Sequence, residues 1–176
     1  MSVRPILVAP APALRAVSAR VEAFDGTVAG AVDDLLETMR ARGAIGLSAP
    51  QIGDARRIAV IDPSGDGAAP EAFVNPRIVA RGRAYGFVQE SCLSLPGVVA
   101  SVWRDTRVRV SAQDAQGRSF ERDLAGLAAV SLQHEIDHLD GRLFVDRLGA
   151  LRRWALRRRL GTAAAPHDGA PSAVGQ

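Results

Sequence analysis

The chain has 176 residues, a formal net charge of +3, 47% hydrophobic and 23% charged side chains, proportions that suit one globular domain and leave little room for a second. All 22 of its basic residues are arginine, which excludes a Schiff-base lysine, a phosphate-binding Walker lysine and a lysine general base. The sequence pI of about 10.3 overstates the basicity, because only Tyr85 and Cys92 can lose a proton near pH 10.

Cys92 is the only cysteine, so no intrachain disulfide can form, and a lone thiol without a secretion signal points to a reducing cytoplasm. The segment 1–12 has a short apolar run broken by prolines and lacks a signal-peptide pattern. No stretch approaches a membrane span. The charge is uneven. Residues 1–141 hold 15 arginines against 17 acids, whereas residues 142–176 hold seven against two.

In chain order, a short helix is expected near residues 12–19. Residues 29–42 set Val32, Leu35, Leu36 and Met39 on one helical face and Asp33, Asp34 and Glu37 on the other, with Gly43 as the stop. Strands are expected over 57–62, over 72–81 (at a sheet edge, because Pro76 interrupts it), over 84–89 and over 97–103. The alternating run 106–112, a turn at 114–117 and a return over 118–124 complete a hairpin. Residues 124–139 form a second strong helix with Asp123 as its cap, ended by Asp140-Gly141. A third helix over 148–160 would turn Leu148, Leu151, Ala155 and Trp154 inward. Residues 161–176 lack periodicity and read as a disordered tail. This order of helix, many short strands and two helices predicts an α+β fold with mostly antiparallel strands around the second helix, and one domain spanning 1–160.

The strongest chemical signal is His134-Glu135-Ile136-Asp137-His138, an HExxH on a predicted helix. Its histidines, four residues apart, share a face and can reach one metal ion, while Glu135 is placed to reach a water. A third protein ligand is needed. His167 lies in the tail, and Cys92 in the turn-prone run 89–97 is the better candidate. The Gly-rich run 43–53 allows close backbone approach, and the Gln51 side chain could donate to a developing oxyanion.

Taken together, Ala44–Gln51, Glu90–Ser94 and Gln133–Leu139 resemble, in order and spacing, the three motifs of the peptide deformylase family, and the resemblance extends to about Leu148. It implies a metal-dependent hydrolase that removes the formyl group from N-formylmethionyl nascent peptides and releases formate. Cys92, His134 and His138 would hold the metal, natively Fe²⁺ in this family, with Zn²⁺, Ni²⁺ or Co²⁺ able to take the site. Glu135 would carry the proton, and the Gln51 side chain and the Leu93 backbone N–H would stabilise the oxyanion. The methionine side chain would enter a pocket of Ile45 with Gly46, Val88, Leu127, Val130, Ser131 and His134. The chain departs from the family pattern at Ala44 and Ser91, each glycine in the usual motif, and at Val99, where many members carry an arginine that contacts the peptide. A positive φ at Ala44 would be strained.

Arg152, Arg153, Arg157, Arg158 and Arg159 form a basic stretch, either a solvated helix surface or a contact for ribosomal RNA. The chain is expected to act in the cytoplasm as a monomer with no membrane partner. Two other readings stay open on the residues alone: an HExxH zinc peptidase, and a non-enzymatic metal-bearing module that docks on RNA.

Overall fold

The computed structural model describes residues 2–65 and 67–160. The expected tail at 161–176 and the side chains of Arg157 and Arg159 lie outside the described residues.

The first long helix, α1 (Gly26–Ala41), begins three residues earlier than its apolar periodicity suggests. Asp25 provides the start, its carboxylate accepting from the Thr27 N–H at 2.9 Å, a standard satisfaction of orphan first-turn donors. Arg42 caps the other end, and Gly43 follows at φ 60°, the left-handed position expected of a helix stop. The helix buries Val28, Ala31, Val32, Leu35, Thr38 and Met39. Each large apolar side chain removed from water on this face stabilises the fold by about 1.5–3 kcal/mol. The short helix foreseen near 12–19 is a 3₁₀ turn over Pro12–Arg15.

Seven strands follow: β1 (Gly46–Ser48), β2 (Ile58–Ile61), β3 (Glu71–Arg81), β4 (Tyr85–Cys92), β5 (Leu95–Asp105), β6 (Arg107–Gln113) and β7 (Ser119–Ala125). Five make an antiparallel sheet in the order β1-β2-β3-β6-β7, and β4 and β5 form a separate antiparallel pair. β3 is therefore the middle strand, contrary to the edge position expected from Pro76. The ladder between β3 and β6 shifts register between Val74 and Arg77. Pro76 sits in that irregularity, where a missing N–H costs no ladder bond. Asn75, at φ 54°, is the non-glycine residue with positive φ among the described residues. Its amide ties the bulge down by donating to Val21 O at 2.8 Å and Gln113 Oε1 at 2.9 Å.

The third strong element, α2 (Gly126–Leu139), packs on the face of the sheet opposite α1. Alternate residues of β2 show this: Ile58 and Val60 join the cluster containing Leu35 and Met39, whereas Ala59 and Ile61 join Leu132, Ile136 and Leu139. Asp123 is not its cap. Asp123 lies in β7 and pairs with Arg109, and the N-cap is Ala125, which makes no side-chain cap bond. Asp140 caps the C-terminus, and Gly141 follows at φ 70°. A Cβ on Gly141 would stand 2.5 Å from the Arg15 carbonyl oxygen, so only glycine fits there.

The last helix, α3 (Ala150–Leu160), is less embedded than expected. Leu148 before it is buried and Leu156 packs on the third core cluster, but Leu151 is 77% exposed, and Trp154 and Ala155 also face outward. No helix among the described residues is long and apolar enough to cross a membrane.

Candidate metal centre

From Ala129 to Leu139, α2 is buried at every position except Ser131. Five of those buried side chains, Gln133, His134, Glu135, Asp137 and His138, are polar. Polar groups can be buried at this density only if each has a partner or a ligand to meet. Gln133 is satisfied by backbone: its Nε2 donates to Asp105 O and Ala129 O at 2.8 and 2.9 Å, and its Oε1 accepts from the Asp105 N–H at 3.1 Å. Asp137 accepts from both arms of Arg147 at 2.6 Å each and from Arg104 Nη1 at 2.6 Å. Burial would raise the Asp137 carboxyl, but these bonds and the Arg104 charge hold it at about 2.

His134 and His138, one turn apart, stand with their ring centroids 5.0 Å apart. The third member of the cluster comes from another element. Cys92 ends β4, where the β4–β5 register slips between Ser91 and Cys92, and its Sγ lies 3.2 Å from His138 Nε2. One atom from each of Cys92, His134 and His138 falls within 4.8 Å of the others. That spacing brings the three predicted ligands together around a common centre.

His134 Nδ1 lies 2.7 Å from Glu90 Oε2, which leaves Nε2 free to face the cluster, the usual way a carboxylate orients a ligating imidazole. Glu90 in turn accepts two bonds from Arg104, at 2.6 and 2.9 Å. Burial pushes the Glu90 carboxyl up, yet the hydrogen bonds from Arg104 and His134 outweigh it and hold it at about 2. Burial also opposes a charge on His134, but its contacts with Cys92 and Glu90 raise it to about 10. His138 moves the other way, lowered by burial and then by His134. Two buried atoms in the cluster, His138 Nδ1 and Glu135 Oε2, have no hydrogen-bond partner. One cysteine sulfur and two imidazoles within 4.8 Å of one another, with an unmet carboxylate oxygen alongside, fit a single divalent ion.

Glu135 is 4% exposed, and burial raises it to about 7. Its Oε1 lies so close to β1 that a Cβ on Gly46 would come within 2.6 Å of it. Gly46 therefore makes the space in which Glu135 sits. Gln51, 2% exposed, is fixed from both ends. Its Oε1 accepts from the Ser48 N–H and hydroxyl, both at 3.0 Å, while its Nε2 reaches Ser94 Oγ at 3.2 Å and Cys92 Sγ at 3.6 Å.

A cavity of about 510 Å³ opens onto this cluster. Ile45, Gly46, Val88, Leu127, Val130 and Ser131 line it together with Gln51, Cys92, Leu93, His134 and Glu135. Of the predicted metal, catalytic and substrate-binding residues, His138 alone is not on that lining; its Nε2 lies 3.2 Å from Cys92 Sγ. Among the departures from the family pattern, Ala44 does not have a positive φ, so the strain foreseen for it is absent. Val99 is 57% exposed and lies off the cavity wall.

Sequence reasoning missed Glu90, Arg104, Asp137 and Arg147 as supports of the site. Glu90 had a signal, since it stands two residues before Cys92 on a strand and so shares its face. Arg104 had none, because nothing local marks a charged residue at the end of an apolar strand as buried.

An HExxH helix packed on an antiparallel sheet, with a cysteine as the third donor and a buried carboxylate beside an apolar cavity, defines a metallohydrolase. The polypeptide deformylase family model matches residues 3–154. A peptide deformylase of Alkalilimnicola ehrlichii is 47% identical over 91% of this chain and 90% of its own length, and one of Pseudomonas aeruginosa is 42% identical over 91% and 95%. Among solved structures, a peptide deformylase from Legionella pneumophila superposes with a TM-score of 0.83 at 42% identity, covering 89% of this chain and 92% of that one. One from Thermotoga maritima superposes at 0.80 with 34% identity, covering 85% and 99%. The chain belongs to the polypeptide deformylase family. It is a hydrolase that removes N-formyl groups from newly made polypeptides.

Proposed function

We propose that Cys92, His134 and His138 hold one divalent ion, Fe²⁺ in the cell, and that the substrate is the N-formylmethionyl end of a nascent chain. The observation that carries this reading is the convergence of a thiol and two imidazoles within 4.8 Å beside a Glu135 carboxylate whose Oε2 has no hydrogen-bond partner. Zn²⁺, Ni²⁺ or Co²⁺ suit the same donors. Such an ion, when bound, would supply Lewis acidity to the formyl carbonyl and to a water.

The chain's own residues do the rest. Its carboxyl, raised by burial to about 7, suits Glu135 to take the proton of the attacking water and return it to the leaving amine nitrogen. Gln51, its amide oriented by Ser48 through Oε1, donates from Nε2, and Leu93 from its backbone N–H, to the developing oxyanion. Ile45, Gly46, Val88, Leu127, Val130 and Ser131 receive the methionine side chain and exclude water around the reacting carbon. Cys92 acts as a ligand and not as a nucleophile. Residues 1–160 work as one catalytic domain, in the cytoplasm and as a monomer, and the arginines of α3 offer a contact to ribosomal RNA.

The test is formate release from formyl-Met-Ala-Ser by wild type and Glu135→Ala, with bound metal measured in both. The expected result is a loss of about 10²- to 10⁴-fold in kcat with metal content kept. Equal inertness of the two metal-loaded proteins would overturn the reading.

A further inference from the structure

Outside the metal cluster and its ion pairs, one charged side chain lines the cavity. Arg42 follows α1 as its C-cap, is exposed, and borders the cavity together with Gly43 and Ala44. Its guanidinium makes no hydrogen bond or ion pair with any described residue. The other charged groups on the lining are committed. Glu90 is held by Arg104 and His134, and His134 and Glu135 belong to the cluster. Pro96 and Gly97 on β5 and Leu127 on α2, also on the lining, carry no charge. Arg42 is therefore the unpaired charged side chain on the cavity lining among the described residues.

A formylated chain bound as proposed above puts its formyl carbon at the cluster and its first side chain in the apolar pocket. The remaining peptide must leave through the mouth, advancing about 3.3–3.6 Å per residue when extended. Its next few side chains then pass an unpaired guanidinium, a fork of donors matched to a carboxylate. We propose that Arg42 is a specificity residue that favours formylated peptides with an acidic side chain shortly after the formylmethionine and disfavours basic ones. The preference rests on the deformylase reading and concerns binding along the exit path. It acts in the ground state and the transition state alike, so it falls on KM and not on kcat.

The test uses metal-loaded enzyme and the amidated peptides formyl-Met-Ala-X-Ala, with X aspartate, asparagine or lysine, repeated with X moved to the second position. An exposed ion pair predicts a kcat/KM ratio of aspartate to lysine of about 2- to 5-fold in wild type. The ratio should shrink near 1 M salt, where the screening length is about 3 Å. It should approach one in Arg42→Gln and reverse in Arg42→Glu. A wild type that cleaves the asparagine peptide but treats aspartate and lysine alike overturns the inference and leaves the deformylase reading standing. So does a ratio that Arg42→Gln does not move. Failure of the wild type to release formate from the asparagine peptide overturns the deformylase reading, and the inference with it.

Discussion

The two walls that supply the metal donors are fixed in different ways. α2 presents His134 and His138 through its own period, so their separation follows from four residues of helix and survives any shift of the helix as a body. The β4–β5 pair, which supplies Cys92, is a two-stranded sheet with an outer face carrying exposed Tyr85, Phe87 and Trp103. Such a pair has little stability alone. Buried polar contacts join it to α2: Arg104 on β5, its guanidinium fully buried, grips Glu90 on β4 and Asp137 on α2, Glu90 also meets His134, and Gln133 bonds the Asp105 backbone. Local geometry thus fixes the histidine pair, and a tertiary ion cluster fixes the cysteine relative to it.

Arg104→Met is the sharpest way to break that join. It leaves Glu90 and one side of Asp137 buried without their cation, and should cost about 3–5 kcal/mol in denaturant unfolding. A loss under about 1 kcal/mol would show that the hairpin is held by apolar packing instead. Gly46→Ala attacks the helix side without touching a metal donor. The new Cβ would collide with Glu135 Oε1, and a displacement of about 1 Å can lower kcat by up to about 10²-fold, with bound metal unchanged on assay. Glu90→Gln keeps shape but removes the charge that orients His134. Metal affinity, read by competition with a chelator, should fall about 10- to 100-fold. Arg152→Ala marks the lower bound. Its guanidinium stacks 5.6 Å from the Phe87 ring on the outer face, and its loss should change stability by about 0.5 kcal/mol or less and leave formate release unaltered.

The same contrast explains what could be read from the sequence. The histidine pair was legible because its spacing is a property of the helix. α1, α2 and the hairpin β6–β7 were legible from apolar period and turn residues. Cys92 was reached by asking what could complete a site, and its partnership with His138 across 46 residues is visible only in the fold. Of the support network, Glu90 was marked by its place two residues before Cys92, whereas Arg104 looks like a surface charge until β5 is laid against α2. Pro76 misled because a proline forbids a ladder bond, but a bulge in a central strand does not require one. The inward face assigned to α3 failed for another reason: of the residues described, Leu156 packs on the body, whereas Leu151, Trp154 and Ala155 face water.

Both tryptophans, Trp103 on β5 and Trp154 on α3, sit on the exterior, and neither lines the cavity. Trp103 lies 5.2 Å from the Phe87 ring and Trp154 under the Arg158 guanidinium at 4.9 Å. The intrinsic fluorescence of this enzyme is therefore a reporter of its outer surface. Emission will register undocking of α3 or a partner covering the hairpin, and will stay nearly silent when a peptide fills the cavity.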